Sequence, residues 1–140
     1  TQPHIAEVGY IDGTEHFRNI TRYRVKTQPH ILSLRVDESL FFANIDKLST
    51  CIFKQTQLRD QISHVVLMCS SVNNIDYSAL SGMEDINQRL IKKGIKLHLS
   101  EIKGPVMDAL NTTDFISKLS GNIYLSQFSA VQDLSNKSTQ

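Results

Sequence analysis

The sequence predicts an α/β domain built on a largely parallel sheet, and three observations carry that prediction. Strand-like and helix-like segments alternate from residue 31 to about 134. Val65-Val66-Leu67-Met68-Cys69 is continuously apolar, as a central strand covered on both faces requires. Helix-boundary signals separate the segments: Ser81-x-x-Glu84 has the capping-box pattern, and Gly94 suits the position just past a helix end.

Residues 1–30 stand outside this rhythm. Their short polar stretches, with Gly9, Gly13 and Pro29, predict an extended arm or hairpin at the sheet edge. Ile31–Val36 alternates, with Leu32, Leu34 and Val36 on one face. Residues 39–43 predict a second short strand, in which Phe41 and Phe42 are expected to serve the core, the alternative being an exposed partner-binding patch. Asn44 then offers an N-cap to a helix marked by Ile45, Leu48 and Ile52.

After the central strand, Asn73-Asn74-Ile75-Asp76 leads to a helix with Leu80, Met83, Ile86 and Leu90 on one stripe. It starts at Ser78 or Ser81 and ends in Lys92, Lys93 and Gly94, cations that complement the helix dipole. Ile95, Leu97 and Leu99 alternate with Lys96 and His98, the pattern of a half-exposed strand. Gly104-Pro105 opens a further helix, since proline is favoured at the first helical position. Asn111-Thr112-Thr113 interrupts it, and Asp114–Leu119 resumes the helical pattern. A short strand at 122–125 and a last helix from Ser126, carrying Ala130, Val131 and Leu134, complete the core. The expected organisation is one domain over 1–140: arm 1–30, core 31–134, and a frayed tail 135–140 rich in Ser, Asn and Lys.

The composition narrows the function. Fifteen Lys and Arg against fourteen Asp and Glu give a formal charge of +1, and no cation cluster of the size nucleic acid demands is read from the chain. Cys51 and Cys69 have no metal-ligand spacing and read as small buried hydrophobes of a reducing compartment. The five histidines form no HxxxH or HExxH pair, so neither metal nor cofactor is expected. No run reaches the ~18 apolar residues of a membrane span. A GxSxG elbow, a P-loop and a Cys–His pairing are all missing, and Asp76, Ser78 and His98 have no triad spacing, so the chain is not expected to be an enzyme. It begins with Thr1, which suggests a piece of something longer.

Four segments carry a family resemblance. Asn74-Ile75-Asp76-Tyr77-Ser78-Ala79-Leu80 resembles the D-x-S-[AG]-L bend of STAS domains. Leu34-Arg35-Val36-Asp37-Glu38-Ser39-Leu40-Phe41-Phe42-Ala43-Asn44 is similar to the R-[IV]-D-x-x-L-[YF]-F-A-N signature of the cytoplasmic tails of SulP anion transporters. Gly13-Thr14-Glu15-His16-Phe17-Arg18-Asn19 with Arg22-Tyr23 resembles the segment that precedes it, and Glu101–Asp108 resembles the family's strand-to-helix loop. The resemblance implies a STAS-type sheet of four or five mostly parallel strands with packing helices.

It also implies a regulatory domain at the cytoplasmic face of a sulfate or similar anion transporter. Its partners would be the transporter's membrane domain, and a sister protomer or another regulatory protein. Gly13–Asn19 is either such a contact or a structural turn. In STAS antagonists the hydroxyl matching Ser78 is phosphorylated, with Asp76 two residues before it. A helix N-terminus suits an added phosphate. The alternative is that Ser78 is an N-cap or its neighbour and Asp76 an Asx-turn residue. An anion or nucleotide could use the same helix end, at Asn74, Ser78, Ala79, Leu80 and Ser81, with Lys103 from the next loop. Two rival functions remain: a stand-alone anti-sigma-factor antagonist phosphorylated on Ser78, and a tail that serves only assembly or trafficking.

Overall fold

The structure, a computed structural model, describes residues 4–137. In chain order the elements are β1 (Ile5–Tyr10), β2 (Phe17–Asn19), β3 (Ile31–Val36), α1 (Phe42–Leu58), β4 (His64–Met68), α2 (Tyr77–Lys92), β5 (Lys96–Ser100), α3 (Gly104–Asn111), α4 (Phe115–Lys118), β6 (Ile123–Tyr124) and α5 (Gln127–Lys137). One six-stranded sheet runs in the order β2-β1-β3-β4-β5-β6. Strands β3 to β6 are parallel, as the alternation with helices requires.

The sheet has two strands at one edge that the patterning placed in an arm. β1 lies antiparallel to β3, and β2 antiparallel to β1 across a turn where Gly13 takes φ +77°. Glu7 of β1 then receives both Nη atoms of Arg59, the residue that ends α1, which ties this edge to the core.

Leu32, Val65 and Leu97 stand side by side in register, as do Leu34, Leu67 and Leu99. They form the floor on which α1 sets Ile45, Leu48 and Ile52, and α2 sets Leu80, Met83, Ile86 and Leu90. Helix α5 covers the opposite face through a smaller apolar cluster of Ile31, Val66, Ala130 and Leu134. His98, expected at a half-exposed position, is 1% exposed for that reason.

Four local expectations are corrected. The second short strand at 39–43 does not form: Leu40 makes a single parallel bridge to Ile75 and the helix begins at Phe42. Leu40 takes the buried place at this turn, so Phe41 and Phe42 point outward, 44% and 70% exposed. Asn44 lies inside α1, where its side chain reaches back to accept the Phe41 N–H (2.8 Å). Helix α5 continues through Lys137, three residues into the segment expected to fray, and residues 138–140 lie outside those described.

Candidate functional site

Helices α1, α2 and α3 each begin just beyond the C-terminal end of a parallel strand, β3, β4 and β5 respectively. That edge is where open α/β sheets place their ligands. Asp76 sits at its centre. Its Oδ1 accepts the Ala79 N–H (2.7 Å), so Asp76 is the N-cap of α2, and neither Ser78 nor Ser81 fills that role. Its Oδ2 accepts the Phe42 N–H (3.2 Å), at the first position of α1. One carboxylate therefore satisfies orphan donors on two helices.

Backbone and side chains around it form a closed set of bonds. The Asp76 N–H donates to Leu40 O (3.1 Å) and the Leu40 N–H to Asn74 O (3.1 Å). Ser39 Oγ accepts the Asn73 and Asn74 N–H groups at 3.3 and 3.1 Å. Lys103, at the N-cap of α3, donates from Nζ to Asn73 Oδ1 (2.7 Å), so the cation expected from the next loop does reach this edge.

The expected site residues divide sharply. Ser78, at the second position of α2, is exposed, and its hydroxyl makes no hydrogen bond among the described residues. Ser81 is exposed one turn further on, and Asn74 is exposed with its N–H occupied by Ser39. Ala79 and Leu80 are buried, at 0% and 3% exposure. Their N–H groups are already given to Asp76 Oδ1 and to Asp76 O (3.0 Å), so they have none left for a ligand. Around Ser78 the surface is aromatic: Phe41, Phe42 and Tyr77, the last 79% exposed, flank the junction.

Asp76→Ala is expected to lower stability by about 2 kcal/mol, because two helix N-termini lose a cap worth roughly 0.5–2 kcal/mol each. Asp76→Asn, which keeps an acceptor, should lose less than half of that. Urea titrations of the three proteins measure both differences.

The other polar cluster lies under α5 and was missed because its members are distant in sequence. The Asn122 N–H donates to His98 Nδ1 (3.0 Å), which fixes the His98 proton on Nε2, where it is given to His64 Nδ1 (3.0 Å). Burial pushes the His98 pKa down to about 3, and burial also lowers that of His64, so both rings are neutral. Tyr124, its ring 5.7 Å from that of His98, donates to Asp133, and burial helps raise its hydroxyl to about 12. Nearby, Gln127 donates to Ser33 Oγ (3.0 Å) and accepts from Ser100 Oγ (2.6 Å). The two histidines, Tyr124, Ser33, Ser100 and Gln127 are neutral and hydrogen-bonded, and the one charge among these groups, the Asp133 carboxylate, is met by Tyr124 and Lys137, which is the chemistry of a structural polar layer. Among the described residues no group of three or more His, Cys, Asp or Glu is placed to hold a metal ion.

Comparison with known proteins gives a consistent family. Residues 22–130 match the family model described as the STAS domain. Sulfate transporter 1.3 of Arabidopsis thaliana is 31% identical over 150 residues, covering 98% of this chain and 23% of that protein. The structure of the murine Slc26a9 anion transporter in the inward-facing state matches with a TM-score of 0.83 at 15% identity, over 95% of this chain and 22% of that one. A SulP transporter STAS domain from Vibrio cholerae matches at 0.66 and 19% identity, over 86% and 94% of the two chains. The anti-sigma factor antagonist SpoIIAA in its unphosphorylated form matches at 0.58 and 9% identity, over 79% and 94%. The chain spans less than a quarter of the length of the curated relatives it matches. No helix among the described residues is long and apolar enough to cross a membrane.

Proposed function

The chain belongs to the STAS-domain family, and from that premise we propose that it is the regulatory and docking domain of a SulP-type transporter of sulfate or a related inorganic anion. One observation carries the reading. Almost the whole chain, 98% of it, aligns with under a quarter of a sulfate transporter, so it corresponds to one domain of such a protein.

In this reading the domain lies at the cytoplasmic face of the membrane and contacts the transporter's membrane part, a sister protomer or both. The α1/α2 junction is its contact surface, with Phe41, Phe42 and Tyr77 as apolar anchors and Ser78 as the position where a phosphate or bound anion shifts the balance between states. The geometry supports this division of labour. Asp76 builds the junction from within, while Ser78 stands outside it, its hydroxyl without a hydrogen bond among the described residues.

The test follows from that freedom. Ser78→Ala and Ser78→Glu should each stay within about 0.5 kcal/mol of the parent in stability, because an exposed, unbonded side chain is exchanged. Sulfate uptake by cells expressing the full transporter should be near normal with Ser78→Ala and altered several-fold with Ser78→Glu. Equal uptake by all three proteins contradicts the switch. Loss of surface expression on changes to Gly13–Asn19, with transport per molecule intact, would favour a domain that serves assembly.

A further inference from the structure

The arm and α5 do not close on each other. Ile5–Glu7 of β1 pair with Leu34–Val36, but Tyr10 pairs with Lys26 instead, so β1 parts from β3. A cavity of about 430 Å³ opens in the split, within the roughly 300–1,000 Å³ typical of small-molecule sites. Val8, Phe17 and Ile31 line it from the sheet and Phe128 and Val131 from α5. Tyr10 walls one end, its ring 5.7 Å from Phe17 and 5.9 Å from Phe128. Gln28 donates to Ser135 Oγ across the cavity, joining the arm to α5. Ser33, 6% exposed, also lines it; its oxygen accepts from Gln127, and its own proton goes to no acceptor among the described residues.

Lys26 lines the cavity, and the loop that leads to it is basic, in a way the balanced charge of the whole chain conceals. Phe17 and Lys26 both line the cavity, so the loop between them is anchored on its rim at each end. Residues 18–26 contain Arg18, Arg22, Arg24 and Lys26 and no acid, which leaves a formal −3 on the rest of a chain whose total is +1. This cluster is too small for duplex nucleic acid, which takes roughly 6–10 phosphate contacts. Arg22 and Arg24 are exposed and form no ion pair among the described residues. Lys26 meets Asp12 (3.0 Å) in an exposed pair that solvent screens.

We propose that this cavity binds a single-chain anionic amphiphile of the fatty-acid type, with its chain between the arm and α5 and its carboxylate toward the cations of the 18–26 loop. Apolar walls beside a basic loop suit a molecule with that division. The two chains of a phospholipid would overfill the space. The proposal does not depend on the transporter reading.

An amide NMR titration of the 140-residue chain with dodecanoate tests it. Saturable shifts are expected at Val8, Phe17, Ile31 and Val131. Val131→Trp, which fills the cavity, should weaken binding about tenfold or more. Arg22→Ser with Arg24→Ser should weaken it about fivefold through lost charge complementarity. The two arginines are exposed and form no ion pair among the described residues, so the second variant keeps the fold even if the first does not. Shifts that never saturate, equal binding of dodecanol, or the same shifts with inorganic phosphate alone would overturn the proposal. Co-sedimentation with phosphatidylglycerol vesicles without saturable dodecanoate binding would also overturn it, making the loop a bilayer contact.

Discussion

Gly121→Ala is expected to destabilise the domain by about 3 kcal/mol, the upper range for forced overpacking of a core. A Cβ on Gly121 would press inside van der Waals contact on Leu97 O and on the His98 ring. The carbonyl belongs to a central strand and already accepts the Gly121 N–H (3.0 Å), so it has nowhere to move. His98 is held from both ends by Asn122 and His64. Gly82→Ala is the informative contrast. Its Cβ would lie 2.6 Å from Ile45 Cγ1, a side-chain atom rather than a strand carbonyl, and alanine gains about 1 kcal/mol of helix propensity over glycine. Its net effect should stay within about 1 kcal/mol in the same urea titration.

Acid should unfold this domain earlier than its carboxylates alone would dictate. In the unfolded chain His98 takes up a proton near its ordinary pKa of 6.5, whereas the folded chain resists doing so until about 3. Between those values the unfolded state binds more protons, so stability rises with pH and is lost as pH falls below 6.5. The slope approaches about 1.4 kcal/mol per pH unit, which amounts to about 3 kcal/mol by pH 4.5. His64, shifted the same way, steepens it. Burial is the main physical cause, and hydrogen-bond direction works the same way. The Asn122 N–H already points at His98 Nδ1, so a proton there would set donor against donor. His98→Gln can still accept from Asn122 but does not titrate. It should be less stable than the parent at pH 7 and show a visibly flatter fall between pH 6.5 and 4.5. Parallel slopes for the two proteins would contradict this account.

The legible and illegible parts of the structure differ in how local their causes are. Leu32, Leu34, Leu97 and Leu99 declare one buried face by simple alternation, and the apolar run at Val65 declares a strand buried on both. Asp76 could be placed at a helix start from its neighbours. Which residue would cap α2 could not, because the choice rests on α1, whose Phe42 N–H claims the second oxygen 34 residues away. The β1 segment, Ile5-Ala6-Glu7-Val8-Gly9-Tyr10, lacks clean alternation because half of it pairs with β3 and half with β2. Its membership of the sheet is a long-range fact.

The His64–His98 pair is the clearest case. Neither residue belongs to a spacing motif, yet the parallel register sets His64 beside Lys96 and His98 beside Val66, which brings the two rings together diagonally. Alternation then misleads, since it marks His98 as facing outward and cannot foresee that α5 covers that face. At the candidate site, the bend at Asn74–Leu80 was visible as a resemblance. The satisfied N–H groups of Ala79 and Leu80 and the outward turn of Phe41 and Phe42 were not.

The claim that this is one domain of a membrane transporter meets its most direct test in an immunoblot of source cells, separated into membrane and soluble fractions and probed with an antibody to the domain. The account predicts a band in the membranes at a mass far above 15.8 kDa. A soluble band near 15.8 kDa would contradict it and turn attention to a kinase acting on Ser78.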